Sequence, residues 1–129
     1  ALDMGDKKIG VAISYSNVAS RGLKTIDANN WREIIDLINE LKVSRVVYGL
    51  PLKKNQAYSQ QAKKIKEQIK SIKHELEGND INIQFDAVDE TLSTQTAEQH
   101  LAKQKDQEKI HILSAQILLD QYLSELNVR

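Results

Sequence analysis

Hydrophobic residues alternate with polar ones, or run together in short blocks, at five places along the chain, and this pattern predicts five strands. Residues 2–14 form an apolar stretch with a turn in its middle, which indicates two strands joined as a hairpin. The other predicted strands cover residues 23–26, residues 45–50 before Pro51, and the alternating set Ile81, Ile83, Phe85 and Ala87.

Apolar residues recur at steps of three and four elsewhere, which is the spacing of amphipathic helices. The predicted helices cover residues 34–41, 59–78 and 110–126, and a shorter helix carries Ala97 and Leu101 after a cap at Ser93 or Thr94. Residues 103–108 are predicted to be a charged break between the last two helices. Asn30 and Glu33 have the spacing of a capping box at the start of the first helix.

The order of elements predicts an α/β fold. Three opening strands form an antiparallel meander, and right-handed crossovers then add two more strands to give a five-stranded mixed sheet with helices on both faces. The chain has 129 residues, enough to bury a single core, so we expect residues 1–129 to form one domain.

Composition narrows the function classes. Lys plus Arg and Asp plus Glu both number 18, so the protein has no net positive charge that would attract a polyanion. Any polyanion must therefore bind a local basic patch. The chain has no cysteine, which excludes disulfides, thiolate catalysis and cysteine zinc sites and fits a reducing compartment. No apolar run approaches the roughly 20 residues of a membrane span, and no signal peptide pattern opens the sequence. We therefore expect a cytoplasmic protein that does not enter a membrane.

Three carboxylates are the first candidates for chemistry. Asp3 lies within an apolar strand, where a carboxylate costs free energy unless it is paired or holds a metal, and Asp89 and Glu90 end the fifth strand. If these strand ends converge, a divalent cation such as Mg²⁺ between the carboxylates would suit metal-assisted phosphodiester hydrolysis. The alternatives are a turn-capping Asp3 and a solvated Glu90.

Four blocks of sequence resemble the YqgF family. They are LDMGDKKIGVAIS at residues 2–14, VYGLPL at 47–52, VDETLST at 88–94 and AQILLDQYL at 115–123. Members of that family are known as Holliday junction resolvases or as nucleases that process pre-16S ribosomal RNA. The resemblance implies an RNase H-like fold for this chain.

The resemblance also implies a catalytic metal site. It maps metal-binding acids onto Asp3 and Glu90, with Asp89 in support, and it places His111 where the third acid of the family opens the last helix. The implied cofactor is Mg²⁺ or Mn²⁺. Because an imidazole favours softer cations than Mg²⁺, we expect His111, as a ligand, to make activity weaker with Mg²⁺ than with Mn²⁺.

Local basic residues are the candidates for nucleic-acid binding. Lys7 and Lys8 follow Asp3 in the opening hairpin, and Lys53 and Lys54 follow the fourth strand. They are predicted to contact a phosphate backbone, and the alternative is an ordinary solvated turn and loop.

Three functions remain open from the sequence. The first is a metal-dependent nuclease that processes the 5′ end of pre-16S rRNA, with a Holliday junction resolvase-like DNA nuclease as the alternative substrate class. The second is a nucleic-acid binding module with a degenerate metal site. The third, an actin-like or sugar-kinase-like ATPase, is disfavoured because those proteins enclose the nucleotide between two such domains.

Overall fold

The computed structural model describes residues 1–51, 56–89 and 107–128. The strands are β1 (Leu2–Met4), β2 (Lys8–Ile13), β3 (Arg21–Asp27), β4 (Arg45–Leu50) and β5 (Gln84–Asp89). The helices are α1 (Glu33–Leu41), which follows a 3-10 turn at Ala28–Asn30, α2 (Gln56–Gly78) and α3 (Gln107–Val128).

The five strands form one mixed sheet in the order β3-β2-β1-β4-β5. β1 pairs antiparallel with β2, and β2 pairs antiparallel with β3, so the first three strands are a meander. β4 pairs parallel with β1 and with β5, as the crossovers through α1 and α2 require. The predicted five-stranded mixed sheet is confirmed.

Helices cover both faces of this sheet. On one face α1 and α2 bury a large apolar cluster that includes Ile9, Ile38 and Ile72. On the other face α3 buries a smaller cluster that includes Val47, Val88 and Leu118. This layered arrangement confirms the predicted RNase H-like architecture.

The missing side chains of two glycines let α3 lie against the meander. A Cβ atom on Gly10 in β2 would lie 2.0 Å from the carbonyl oxygen of His111, and one on Gly22 in β3 would lie 2.3 Å from Cγ2 of Ile112. Since real Cβ atoms do not approach other atoms so closely, only glycine fits at these positions with the helix where it is.

A polar network anchors the other half of α3 to β4 and β5. The Tyr122 hydroxyl donates a hydrogen bond of 2.6 Å to Oδ2 of Asp86, and Arg45 donates one of 2.7 Å to the Tyr122 oxygen. The hydrogen bond from Tyr122 holds the pKa of Asp86 below its usual value, and burial with that same bond raises the pKa of Tyr122. The network fixes the position of the helix along the sheet.

The predicted capping box at the start of α1 is wrong. The 3-10 turn uses Asn30, and Arg32 stands at the N-cap without a side-chain cap hydrogen bond. The Glu33 carboxylate instead accepts a hydrogen bond of 2.6 Å from Lys24 in β3. The Glu33 side chain, which a capping box would need, is thus engaged in an ion pair with Lys24.

Other predicted boundaries shift by a few residues. β5 begins at Gln84 rather than at Ile81, because its partner β4 begins opposite Gln84 and the Ile81 amide bonds back to the end of α2 at Leu76. α2 begins at Gln56, three residues early, and α3 already includes Gln107 and Glu108 of the predicted charged break. The short helix predicted after Ser93 or Thr94 lies outside the described residues. Across the three described ranges, no helix is long and apolar enough to cross a membrane.

Candidate active site

Asp3 lies in the middle of β1 on the face that α3 covers. Side chains alternate along a strand, and its neighbours Leu2 and Met4 both belong to the apolar cluster under α1 and α2. Asp3 is only 5% exposed, which makes it one of two buried polar residues in the described part of the chain. A carboxylate in such a place needs a partner.

The partner is His111, on the second turn of α3. Its Nδ1 lies 2.9 Å from Oδ2 of Asp3, and its side chain keeps 26% of its surface exposed. An ionised carboxylate can only accept a hydrogen bond, so Nδ1 carries the hydrogen and donates it to Asp3. In the neutral ring the remaining lone pair is then on Nε2.

Four neighbouring strands are aligned at the level of this pair. The register pairs Asp3 with Gly10 in β2, places Asp3 beside Gly49 in β4, and pairs Gly49 with Val88 in β5. Gly10 is also the residue that admits the backbone of His111 to the sheet. The contact between Asp3 and His111 therefore depends on a glycine that sequence reasoning did not single out for this role; its position opposite Asp3 in the opening hairpin was the available signal.

The structure separates Asp89 from Asp3. Asp89 is exposed at the end of β5 and pairs in register with Leu50, which faces the cluster under α1 and α2. By strand alternation Asp89 lies on that same face, opposite to Asp3. Glu90, the other predicted acid, lies outside the described residues.

The predicted phosphate-binding lysines fall into three groups. Lys8 pairs with Asp27 at 2.5 Å, and this hydrogen bond and ion pair raise the pKa of Lys8. Lys7 is exposed in the turn between β1 and β2, and no carboxylate of the described residues pairs with it. Lys53 and Lys54 lie outside the described residues.

The donor atoms of this pair suit a divalent cation. A carboxylate is a hard oxygen ligand and a neutral imidazole is a nitrogen ligand, and together they bind ions such as Mn²⁺ that accept both. The described residues contain no group of three or more His, Cys, Asp or Glu side chains arranged to hold a metal. The described pair thus fits as part of a metal site, with the rest from other ligands or water.

Comparison with known proteins identifies the family. The family described as RuvX, Holliday junction resolvase, matches residues 1–125. A protein of Sulfurihydrogenibium sp. (strain YO3AOP1) is 38% identical over 98% of this chain and 89% of its own length. Proteins of Clostridioides difficile (strain 630) and Clostridium tetani (strain Massachusetts / E88) are each 35% identical, over 95% and 97% of this chain and 90% and 94% of their own lengths. All three carry the name "Putative pre-16S rRNA nuclease". The chain therefore belongs to the RuvX family of nucleases, which is the YqgF family that its sequence blocks resemble.

Proposed function

We propose that this protein is a divalent-metal-dependent nuclease whose active centre includes Asp3 and His111. The observation that carries the proposal is the hydrogen bond of 2.9 Å between a buried carboxylate and a partly exposed imidazole. A buried carboxylate with one specific polar partner is typical of functional sites, because burying a charge costs free energy that the fold alone does not require. Glu90 remains the predicted further metal ligand, and Asp89, which lies on the opposite face of the sheet from Asp3, is left out of the proposed site.

Each side chain has a distinct task in this proposal. Asp3 supplies the buried negative charge that attracts a cation, and its hydrogen bond with His111 orients the ring. The exposed side of His111 faces the approach to the site, and Lys7 extends from the adjacent turn toward a phosphate backbone. A bound Mg²⁺ or Mn²⁺ would supply an activated water for in-line attack at phosphorus and would stabilise the leaving oxygen.

We infer that the substrate is precursor 16S rRNA and that cleavage matures its 5′ end. The names of the three relatives favour this substrate. A role in ribosomal RNA maturation supports a cytoplasmic location. The family description favours a branched DNA substrate instead, so a Holliday junction is the alternative. The proposed partners are therefore nucleic acids.

A cleavage assay tests the proposal. Purified protein is offered a labelled 5′ end of precursor 16S rRNA and a labelled four-way DNA junction, each with Mg²⁺ and with Mn²⁺, beside the Asp3→Asn variant. We expect metal-dependent cleavage of the RNA by the wild type at least a hundredfold above the variant, as for loss of a group that stabilises the transition state. If neither substrate is cut above the variant in either metal, the protein is not a nuclease of this kind.

Two observations favour a second candidate, a nucleic-acid binding module with a degenerate metal site. His111 stands where the family places an acid, and the described residues hold no cluster of three metal-binding side chains. Such a module would bind RNA or DNA equally well with and without metal, and its Asp3→Asn variant would behave like the wild type.

A further inference from the structure

Four lysines lie along one side of α2 and form a surface that we call the lysine flank: Lys63, Lys66, Lys70 and Lys73. They follow one another at steps of three and four residues, which places them in one row on a helix. All four are exposed. The row is about 15 Å long at a rise of about 1.5 Å per residue.

The lysine flank faces the β5 side of the sheet. The Nζ atom of Lys73 lies 5.3 Å from the centre of the Phe85 ring in β5. The opposite side of α2 faces α1, where Glu75 pairs with Arg32 at 3.9 Å. The flank is therefore next to the outer edge of the sheet and is not covered by α1.

Its position relates it to the candidate active site. α2 follows the end of β4, the parallel neighbour of the strand that carries Asp3. Lys64 and Gln68 of α2 line a cavity together with Lys7, so the first half of the flank is near the turn that follows β1. From there the flank runs along α2 on the β5 side. A strand of nucleic acid that leaves this turn could continue along the helix.

The lysines of the flank differ from other lysines of the chain in their ion pairs with the described residues. Lys8 pairs with Asp27 and Lys24 pairs with Glu33, whereas none of the four flank lysines forms an ion pair with a carboxylate of the described residues. Exposed Glu67 and Glu77 lie beside the row, four residues after Lys63 and Lys73. The four lysines therefore leave a local excess of two positive charges, in a chain with a net charge of +0. Such a row suits a polyanion with regularly spaced charges.

We propose that the lysine flank binds the phosphate backbone of the RNA substrate outside the cleavage site. The inference rests on the proposed function for the identity of the RNA. About 15 Å of helix corresponds to about four nucleotides of a stacked strand, at about 3.4 Å per nucleotide. The flank reads no bases, so it contributes affinity and orientation rather than sequence preference.

Binding of a short unstructured RNA, measured by fluorescence anisotropy in EDTA so that nothing is cleaved, tests the inference. The variant Lys66→Gln/Lys70→Gln removes two charges from the centre of the flank. The matched control, Arg21→Gln/Lys42→Gln, removes two exposed positive charges, one at the start of β3 and one beyond the end of α1. Lys66→Arg/Lys70→Arg keeps the charge, and circular dichroism checks that every variant is folded.

We expect the flank variant to lose about 1.4 from the slope of log Kd against log salt, since each phosphate contact to a single strand contributes about 0.7. At 0.1 M salt this corresponds to roughly 25-fold weaker binding if counterion release accounts for the whole loss. The arginine variant should bind as the wild type does, and the control should change less than threefold.

Three results would overturn the inference: an equal loss of affinity in the flank and control variants, no binding of RNA by the wild type, or a flank-dependent preference for a four-way DNA junction or for vesicles of anionic lipid. The nuclease proposal fails separately, in the cleavage assay with Asp3→Asn. A protein that cuts RNA but binds it independently of the flank would refute only this inference.

Discussion

The hydrogen bond between His111 and Asp3 joins residues 108 positions apart in sequence. Because Nδ1 carries the hydrogen that it donates to Asp3, only Nε2 of His111 has a lone pair for a cation. The resemblance maps an acid of the family onto position 111. With histidine there, the site would offer a cation one neutral nitrogen in place of a negatively charged oxygen.

This replacement predicts the metal preference of the enzyme. Because nitrogen ligands favour Mn²⁺ over Mg²⁺, we expect the wild type to cleave more slowly with Mg²⁺, and His111→Asp to recover activity with Mg²⁺. The ratio of the initial cleavage rates with Mn²⁺ and with Mg²⁺, at equal metal concentrations, measures this preference. The control is His74→Asp, which changes an exposed histidine on α2 and should leave the ratio unchanged.

Equal rates of the wild type with Mg²⁺ and Mn²⁺ would count against His111 as a ligand. The contact with Asp3 would then be a purely structural hydrogen bond.

At the scale of elements, the docking of α3 on β2 decides whether the two residues meet. We predict that Gly10→Ala destabilises the protein by about 2–3 kcal/mol, since its methyl group would overlap the His111 carbonyl and force the helix away from the sheet. Gly78→Ala is the control, because a Cβ atom there meets nothing within 4 Å. In urea unfolding, the free energy of unfolding of this control should be within about 1 kcal/mol of the wild-type value.

An unchanged stability of Gly10→Ala would mean that α3 does not lie against β2 at His111. The position of the candidate active site would then have to be revised.

The Tyr122 network anchors the other end of the same helix and gives its stability a pH dependence. The hydrogen bond from Tyr122 lowers the pKa of Asp86 in the folded state, so its stabilising effect is complete above the unfolded pKa of about 3.9 and is lost as pH falls through the lower folded value. We expect Tyr122→Phe to cost about 1 kcal/mol at pH 7, as for one hydrogen bond to a charged group that is partly exposed.

Unfolding of the wild type and Tyr122→Phe by urea at pH 7 and at pH 3 measures this contribution. The difference between their free energies of unfolding should be smaller at pH 3 than at pH 7. A difference that is the same at both pH values would show that the Tyr122 hydroxyl stabilises the fold independently of the charge on Asp86.

The elements also show what sequence reasoning could reach. Periodicity predicted β4 to the residue and placed α1, α2 and α3 within a few residues, because burial of one face imposes a regular pattern on each element. The capping box failed because Glu33 pairs with Lys24 on another strand, and the role of Gly10 was missed because close approach of a helix is a property of the packed molecule. In the candidate site, the cost of burying a carboxylate pointed to Asp3, and family resemblance alone pointed to His111.

The whole molecule is neutral in net charge but uneven in its distribution. In the described ranges, both apolar clusters pack on the same sheet, one on each face. The buried Asp3 lies on the face under α3, and the lysine flank lies beside the face under α2. A nucleic acid that contacts both Asp3 and the lysine flank would pass around the edge of the sheet where β1 and β4 end.

Titration calorimetry with Mn²⁺ and Mg²⁺ tests the central claim, that Asp3 and His111 belong to a metal site, without depending on a choice of substrate. The account predicts that the wild type binds Mn²⁺ more tightly than Mg²⁺ and that Asp3→Asn, which keeps the size of the side chain but removes its charge, loses this binding by at least tenfold. Identical titrations of the wild type and Asp3→Asn would contradict it.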